Sequence, residues 1–320
     1  MGKVKVHLEG RDKDEKIRVR KNLGTLKSLT VQPQTRARYD RARNQFYEFL
    51  YLNKLEIPTL AHGLDLLLAD YLEHLWCTGE GRGKASDTIA AIQDLQPHVK
   101  GSLPLAWRLL RTWHINEIPC RAPPLPELCL QAMLGWAIFK EDFQFGLSLL
   151  IGFYGLLRTG ELLDVRADHI FIESAKKPAV ISLGLTKGGK RMGVAESVSI
   201  SVELVLSWLK KWKGSVDSRT LLCPSSAQWR AKFSECLEAI GLASFSFRPY
   251  SLRRGGATHW FAKHGSLDRV IVLGRWQAQR TARIYINEGL AVMAEMAIPK
   301  AQLRPFLVIF RANSHKPRFA

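Results

Sequence analysis

A proline-rich stretch near the middle of the sequence limits what the chain can fold into. Residues 118–126 read Ile-Pro-Cys-Arg-Ala-Pro-Pro-Leu-Pro, with four prolines in nine positions. Proline lacks a backbone N–H and clashes with the preceding helical turn, so no continuous helix crosses this stretch. At 320 residues, the chain is long enough for a hydrophobic core on each side. We therefore predict two domains joined by a linker at 116–126.

The half of the chain before this linker has the pattern of helices. Residues 1–30 are rich in charge and poor in large apolar residues, which predicts a flexible basic arm. Apolar residues then recur at helical spacing, which predicts a small all-helical domain over 31–115. Its helices are expected near 35–50, 64–77 (opened by Asp65), 85–97 and 103–115.

The half after the linker combines helices with one β-hairpin. Short strands are predicted at Ala179–Leu185 and Ser197–Ser201, around a glycine-containing turn with a basic tip at Thr186–Arg191. The expected fold class is mostly α with a small antiparallel β-sheet in a second domain at 127–300. A C-terminal tail is expected at 301–320. Helical patterns cover about 127–157, 202–213, 226–241, 251–264 and 267–275.

The charge of the chain indicates a polyanionic partner. Lys and Arg number 47 against 29 Asp and Glu, a formal net charge of +18, which favours nucleic acid over acidic lipid. The longest apolar stretch, Leu147–Leu157, is too short to span a bilayer, so no membrane partner is expected. The five cysteines form no C-x-x-C pair, and neither a metal nor another cofactor is predicted. We expect an intracellular protein.

Four segments of the second half carry basic or aromatic residues of possible chemical use. Taken singly, each has an ordinary structural explanation: a surface Arg–Glu pair, exposed turn lysines, or core aromatics with a basic outer face. In one segment, adjacent arginines precede Gly255-Gly256, where a backbone can approach closely. The four segments are Leu156–Leu163 with Arg158 and Glu161, the hairpin tip with Lys187 and Lys190, Pro249–His259 with Arg253 and Arg254, and Leu273–Tyr285 with Arg275 and Trp276.

In their order along the chain, these segments resemble the tyrosine recombinases, the phage-integrase superfamily. Arg253 precedes Tyr285 by 32 residues and Trp276 precedes it by nine, spacings similar to those of the family. The resemblance covers about 127–290 well and the helical domain more loosely. The family pattern is Arg-x-x-Glu/Asp, a hairpin Lys, His-x-x-Arg, His or Trp, and Tyr; it is matched by Arg158-Thr-Gly-Glu161, Lys187, Tyr250-Ser-Leu-Arg253, Trp276 and Tyr285.

Two stretches and two departures refine this resemblance. Ser251–Thr258 and Gly274-Arg-Trp276 look most like the recombinases of tyrosine-recombinase retrotransposons, a class of transposable element. Tyr250 stands where the family usually has His, which weakens the expectation of proton transfer there. Arg275 also stands where many relatives have His. Counting back from Tyr285 places Trp276 in the His/Trp position, on the expectation that one helix of fixed rise links the two residues.

The resemblance implies site-specific DNA cleavage and rejoining, for recombination or integration, by a two-domain clamp that forms a 3′-phosphotyrosine on Tyr285. Arg158 and Arg253 would hold the phosphate oxygens, Lys187 would protonate the leaving 5′ oxygen, Trp276 would contact the phosphate, and Glu161 would orient Arg158. No ATP, metal or other cofactor is implied. Additional DNA-binding residues are expected to be Arg36, Arg38, Arg41, Arg43, Lys190, Arg191, Arg254 and Arg275.

The family also implies a homo-tetramer on paired sites in double-stranded DNA and, in a eukaryote, a nuclear location. Three other functions stay open: a catalytically decayed or domesticated recombinase that only binds DNA, a basic helical protein that binds RNA or another partner, and a type IB topoisomerase. Residues 287–320 either dock on a neighbouring subunit or pack on their own domain.

Overall fold

The structure is a computed structural model that describes residues 12–118, 120–174, 177–186, 189 and 193–319. It divides the chain into two compact units, Met1–Cys120 and Arg121–Ala320. Each unit has its own hydrophobic core. The division falls within the proline-rich stretch at which the linker is predicted. Over the described ranges, no helix has both the length and the apolar character needed to cross a membrane.

The first unit is helical throughout its described part. Pairing of α3 with α5 and of α4 with α6 buries Phe46, Leu68 and Ile89. Two helices fall where a flexible arm is predicted, and neither buries a residue. The helices are α1 (Lys13–Leu23), α2 (Leu26–Leu29), α3 (Pro33–Leu52), α4 (Ala61–Cys77), α5 (Arg82–Leu95) and α6 (Pro104–Asn116).

Asp65 does not open its helix as the sequence predicts. Helix α4 begins at Ala61, and Asp65 lies buried within it. Its two carboxylate oxygens accept hydrogen bonds from the backbone N–H groups of Leu105 and Ala106, each at 2.9 Å. First-turn amides have no partner inside their own helix, so Asp65 satisfies the start of α6 and fixes α4 against it.

The second unit packs ten helices of the described chain and a small sheet around one core. Helices α7 and α8 are apolar on nearly every side, because other elements cover them all round. The helices are α7 (Glu127–Phe139), α8 (Phe143–Tyr154), α9 (Thr159–Leu163), α10 (Glu203–Ser215), α11 (Ser226–Ala239), α12 (Pro249–His264), α13 (Leu267–Gly274), α14 (Gln279–Tyr285), α15 (Glu288–Ala297) and α16 (Lys300–Asn313).

The sheet contains the predicted hairpin and one strand that the sequence analysis missed. Its antiparallel order is β1 (Ile170–Phe171), β2 (Ala179–Gly184) and β3 (Glu196–Ile200). Ile181 faces Val198 across the β2–β3 pair, and the register shifts between Ser182 and Gly184. Strand β1 has only two residues, too few to show an alternating pattern. The expected class, mostly α with a small antiparallel sheet, is confirmed.

The residues expected to form a C-terminal tail instead form α16, which packs on α7 of the same unit. Leu303 is fully buried, and the indole N–H of Trp208 donates to the carbonyl of Ser314 at 2.6 Å. The two helices approach so closely that a Cβ on Gly135 would lie 1.9 Å from the carbonyl oxygen of Phe306. Residues 300–314 therefore belong to the core of the second unit.

Candidate active site

Two tyrosine hydroxyls meet at the surface of the second unit. The hydroxyl of Tyr250, in the first turn of α12, donates a hydrogen bond to that of Tyr285, the last residue of α14. The ring of Trp276 packs on Tyr285 with 4.6 Å between the ring centroids, and the Trp276 side chain is buried. Tyr250 is 39% exposed and Tyr285 is half-buried, so the pair lies at the surface of the unit.

The guanidinium of Arg253 lies beneath these rings. Its central carbon is 4.7 Å from the centroid of Trp276 and 5.5 Å from that of Tyr285. Its terminal nitrogens donate to the backbone carbonyls of Leu156 and Gly274, the second at 2.5 Å. Arg253 is 1% exposed. It thus places positive charge directly under the tyrosine and holds three segments of backbone together.

A network of arginines and glutamates continues from this point. Glu161 accepts hydrogen bonds from the backbone N–H of Arg158 at 2.9 Å, from the Arg158 guanidinium, and from Arg275 at 2.7 Å. Glu196 on β3 lies within 3.9 Å of Arg158 and 3.7 Å of Arg275. We call Arg158, Glu161, Glu196, Arg253 and Arg275 the arginine–glutamate cluster.

Two local features of the backbone bring these side chains together. A Cβ on Gly255 or Gly256 would lie 2.0 Å from the carbonyl oxygen of Leu125 or Phe153, so the glycines allow α12 to press against both segments. The close approach predicted for this Gly-Gly pair is made by the protein's own backbone. Arg275 ends α13 in the left-handed conformation with φ 54°, which turns its side chain towards Glu161.

The expectation that one helix links Trp276 to Tyr285 is wrong. Helix α13 ends at Gly274, and α14 begins only at Gln279. Gly274 is required at this break because a Cβ there would lie 2.0 Å from the Trp276 ring. The contact between Trp276 and Tyr285 is therefore produced by the turn between two helices. The two residues, which the resemblance assigns to one site, are in contact.

Burial and neighbouring charges shift the pKa values of the side chains in this cluster. Burial lowers the pKa of Arg253 to about 10, with repulsion from Arg275 and Arg158 in the same direction, so it stays charged at neutral pH. Burial also lowers the pKa of Arg275, although Glu161 opposes this effect. For Arg158, burial is outweighed by Glu161 and Glu196, and the pKa is raised. For Glu161, burial is outweighed by Arg275 and Arg158, and the pKa is lowered.

Several buried donors of this region have no hydrogen-bond partner among the described residues. They include Nε of Arg253, Arg254 and Arg275 and the indole N–H of Trp276. Unpaired buried N–H groups are costly, and those of a guanidinium match the oxygens of a phosphate. Three arginines face two glutamates in the arginine–glutamate cluster, which leaves an excess of positive charge. The arrangement suits binding of an oxyanion next to the two tyrosine hydroxyls.

Of the other basic residues near the hairpin and α12 that were predicted to act on DNA, only Arg254 lies within the described residues. Lys187, Lys190 and Arg191 lie outside the described residues. Arg254 is buried, and burial lowers its pKa, with repulsion from Arg121 as the next cause. No group of three metal-binding side chains occurs in the part of the chain that the structure describes.

The arginines of α3 are largely engaged within the first unit. Arg36 pairs with Asp94 and Arg38 with Asp87, both on α5, and Arg43 pairs with Asp40. Arg41 is exposed and carries no ion pair within the described ranges. Three of these four side chains therefore stabilise the helical unit, and each can reach a phosphate only by leaving or sharing a carboxylate.

Sequence reasoning missed Glu196 and did not predict that Arg275 faces inward. Arg275 was expected to be a surface contact to DNA, but its side chain is 9% exposed and lies between two glutamates. Glu196 had one signal in the sequence. It shares the alternating register of Val198 and Ile200, so it lies on the buried face of its strand, where a carboxylate needs partners.

No family model and no curated protein matches this chain. Among solved structures, the XerH site-specific recombinase in a post-cleavage complex with palindromic difH substrate has a TM-score of 0.52 at 18% identity, covering 74% of this chain and 72% of that one. A pre-cleavage XerH–difH complex gives 0.43 at 18%, covering 74% and 78%. The XerA recombinase gives 0.43 at 15%, covering 91% and 95%. The first similarity shows that this chain has the fold of a site-specific recombinase.

Proposed function

We propose that this protein cleaves and rejoins DNA strands through a covalent 3′-phosphotyrosine on Tyr285. The observation that carries the proposal is the position of the Tyr285 hydroxyl, hydrogen-bonded to Tyr250 above the charged guanidinium of Arg253. A tyrosine hydroxyl is a weak nucleophile until positive charge nearby favours the loss of its proton. Arg253 and Arg158 supply this charge, and Tyr285 contributes in turn to the electrostatic environment of Arg158.

The proposed reaction exchanges one phosphoester for another. Tyr285 loses its hydroxyl proton to solvent and its oxygen attacks the phosphorus, the bond from phosphorus to the 5′ oxygen breaks, and that oxygen takes a proton from Lys187. Arg158, whose side chain is 34% exposed, is the guanidinium best placed to contact the non-bridging oxygens. Arg253 stabilises the same charge from below. Attack by a 5′-hydroxyl on the phosphotyrosine reverses the step and rejoins the strand.

The wider setting follows from charge and from the family resemblance. The formal charge of +18 favours duplex DNA as the partner. XerH is similar in fold, and its structure is a complex with DNA substrate after cleavage. We extend to this chain a homo-tetramer on paired DNA sites, a DNA-associated location that is nuclear in a eukaryote, and an origin in a transposable element related to tyrosine-recombinase retrotransposons.

A nicked suicide duplex tests the proposal. Its short 3′ fragment diffuses away after cleavage and traps the protein on the DNA, so an SDS-resistant band reports the covalent step. Because the target sequence is unknown, a pool of randomised duplexes and element ends is used, and the duplex giving the strongest band is carried forward. A band that disappears in Tyr285→Phe, while binding of the same duplex is retained, supports the proposal.

A second function is favoured by one observation, the tyrosine in place of the usual histidine. Burial raises the pKa of Tyr250, and its hydrogen bond to Tyr285 acts in the same direction, so this phenol stays protonated at neutral pH and cannot take the proton of Tyr285. A recombinase that has lost cleavage and acts as a DNA-binding protein would have this feature. It would bind duplex DNA with a steep salt dependence and form no covalent band with any member of the pool.

A further inference from the structure

Glu196 occupies a position where a sheet normally places an apolar side chain. Along β3, Glu196, Val198 and Ile200 are buried, whereas the two residues between them are exposed. The Glu196 side chain is 7% exposed. A carboxylate in such a place is destabilising unless charged or hydrogen-bonding partners compensate for its lost hydration. Its partners therefore show what the residue does.

One oxygen of Glu196 joins two parts of the second unit. Oε2 lies 3.7 Å from Nε of Arg275 and 3.9 Å from Nη1 of Arg158. The same oxygen accepts a hydrogen bond from the hydroxyl of Thr186, which follows β2. The carboxylate is thus shared between the arginine–glutamate cluster and the base of the hairpin.

The hairpin turn is organised around the Thr186 hydroxyl. Its oxygen accepts a hydrogen bond from the backbone N–H of Gly189 at 3.1 Å, and the carbonyl of Gly189 accepts one from Val194 at 3.0 Å. The chain runs from Thr186 directly into Lys187. The position of the base of this turn therefore depends on the bond between Thr186 and Glu196.

We infer that Glu196 is a positioning residue that ties Thr186, the residue before Lys187 in the chain, to Arg158 and Arg275. This inference rests on the proposed function, in which Lys187 gives a proton to the leaving 5′ oxygen. Glu161 already orients Arg158 and Arg275 through shorter contacts, of which that to Arg275 is 2.7 Å. The distinct contribution of Glu196 is the link to Thr186.

The inference predicts a defect that depends on the leaving group. An alkoxide leaves poorly unless it receives a proton, whereas a thiolate leaves readily because its conjugate acid has a much lower pKa. In a duplex whose scissile 5′ oxygen is replaced by sulfur, Tyr285 still attacks phosphorus, the P–S bond breaks, and the sulfur departs without protonation. A displaced general acid then no longer matters, but displaced arginines still do.

The experiment compares single-turnover cleavage of the oxygen and sulfur forms of the duplex selected from the pool. Glu196→Met keeps the length of the side chain and removes both its charge and its hydrogen-bond acceptors, and Thr186→Val removes the hydroxyl with little change in volume. We expect each variant to cleave the oxygen substrate about 10- to 100-fold more slowly, the scale of a small misplacement of a catalytic group. Both should cleave the sulfur substrate at close to the wild-type rate.

Two controls separate positioning from folding and from charge. Glu203→Gln removes a carboxylate from an exposed site of the same unit and should leave both rates unchanged. Affinity for the duplex should be unchanged or higher in Glu196→Met, since a negative charge is lost. The double variant should be no slower than the slower single variant, because the two residues act through one contact.

Three results would overturn the inference. They are a wild-type rate for Glu196→Met and Thr186→Val on the oxygen substrate, an equal defect on both substrates, or full additivity in the double variant. An equal defect would mean that Glu196 acts only through the arginines. Failure of the proposed function itself looks different, because the wild-type protein would then give no covalent band with either substrate.

Discussion

Removing the hydroxyl of Tyr250 tests whether this residue serves the chemistry in place of a histidine. The hydroxyl donates to the Tyr285 oxygen, which is negatively charged after it loses its proton and before it bonds to phosphorus. A hydrogen bond to a charged group contributes about 1.5–3 kcal/mol, and each 1.4 kcal/mol in the barrier changes a rate about tenfold. Tyr250→Phe should therefore slow formation of the covalent adduct by about 10- to 150-fold.

The fold should be almost unaffected by this change. Tyr250 is 39% exposed, and the phenylalanine ring can keep the packing against Tyr285, whose centroid is 5.5 Å away. We expect the free energy of unfolding to change by less than about 0.5 kcal/mol, as for surface substitutions generally. A loss of rate would then report the lost hydrogen bond and not a damaged domain.

The assay is single-turnover adduct formation on the selected suicide duplex, at saturating protein. Tyr51→Phe serves as a matched control, because it removes the same atom from a ring that is 83% exposed in the other unit. Tyr250→His restores the residue usual in the family and should retain more activity than Tyr250→Phe. A Tyr250→Phe rate equal to that of wild type would refute the assigned role and leave Tyr250 as a surface residue.

Three further predictions concern stability. Gly256→Ala should destabilise the second unit by about 1–3 kcal/mol or more in urea, since its Cβ would lie 2.0 Å from a carbonyl oxygen, whereas Gly83→Ala, with nothing within 4 Å, should stabilise slightly. The pKa of Glu161 is lowered from its ordinary value of 4.5, so the charged carboxylate stabilises the fold above pH 4.5, and this contribution is lost as the pH falls through the lowered pKa. In urea titrations, the difference in the free energy of unfolding between wild type and Glu161→Gln should therefore narrow in acid. Deleting 300–320 should abolish the cooperative thermal transition of the second unit, because α16 covers α7.

Local sequence patterns were sufficient to predict most of the secondary structure. Apolar residues at helical spacing indicated the helices of the first unit, and four prolines indicated where the chain divides. These signals are reliable because they depend only on neighbours along the chain. Strand β1 was missed for the same reason, since its two residues are defined by pairing with β2.

The site residues were predicted from their order along the chain, and their roles stay predictions. The order of Arg158, Tyr250, Arg253, Trp276 and Tyr285 along the chain predicted a set that the structure brings into one region. The sequence could not show that Arg253 points its terminal nitrogens at backbone carbonyls. That orientation is set by segments far apart in the chain, which is information that spacing does not contain.

The sequence by itself determined the kinds of element, the division of the chain and the excess of positive charge, because these depend on composition and local periodicity. The tertiary structure alone decided which charges are neutralised. Arg275 faces inward because its own backbone adopts the left-handed conformation. Glu196 lies next to Arg275 because β3 places alternate side chains on the buried face of the sheet. Pairing between distant residues depends on packing, and packing is a property of the folded chain.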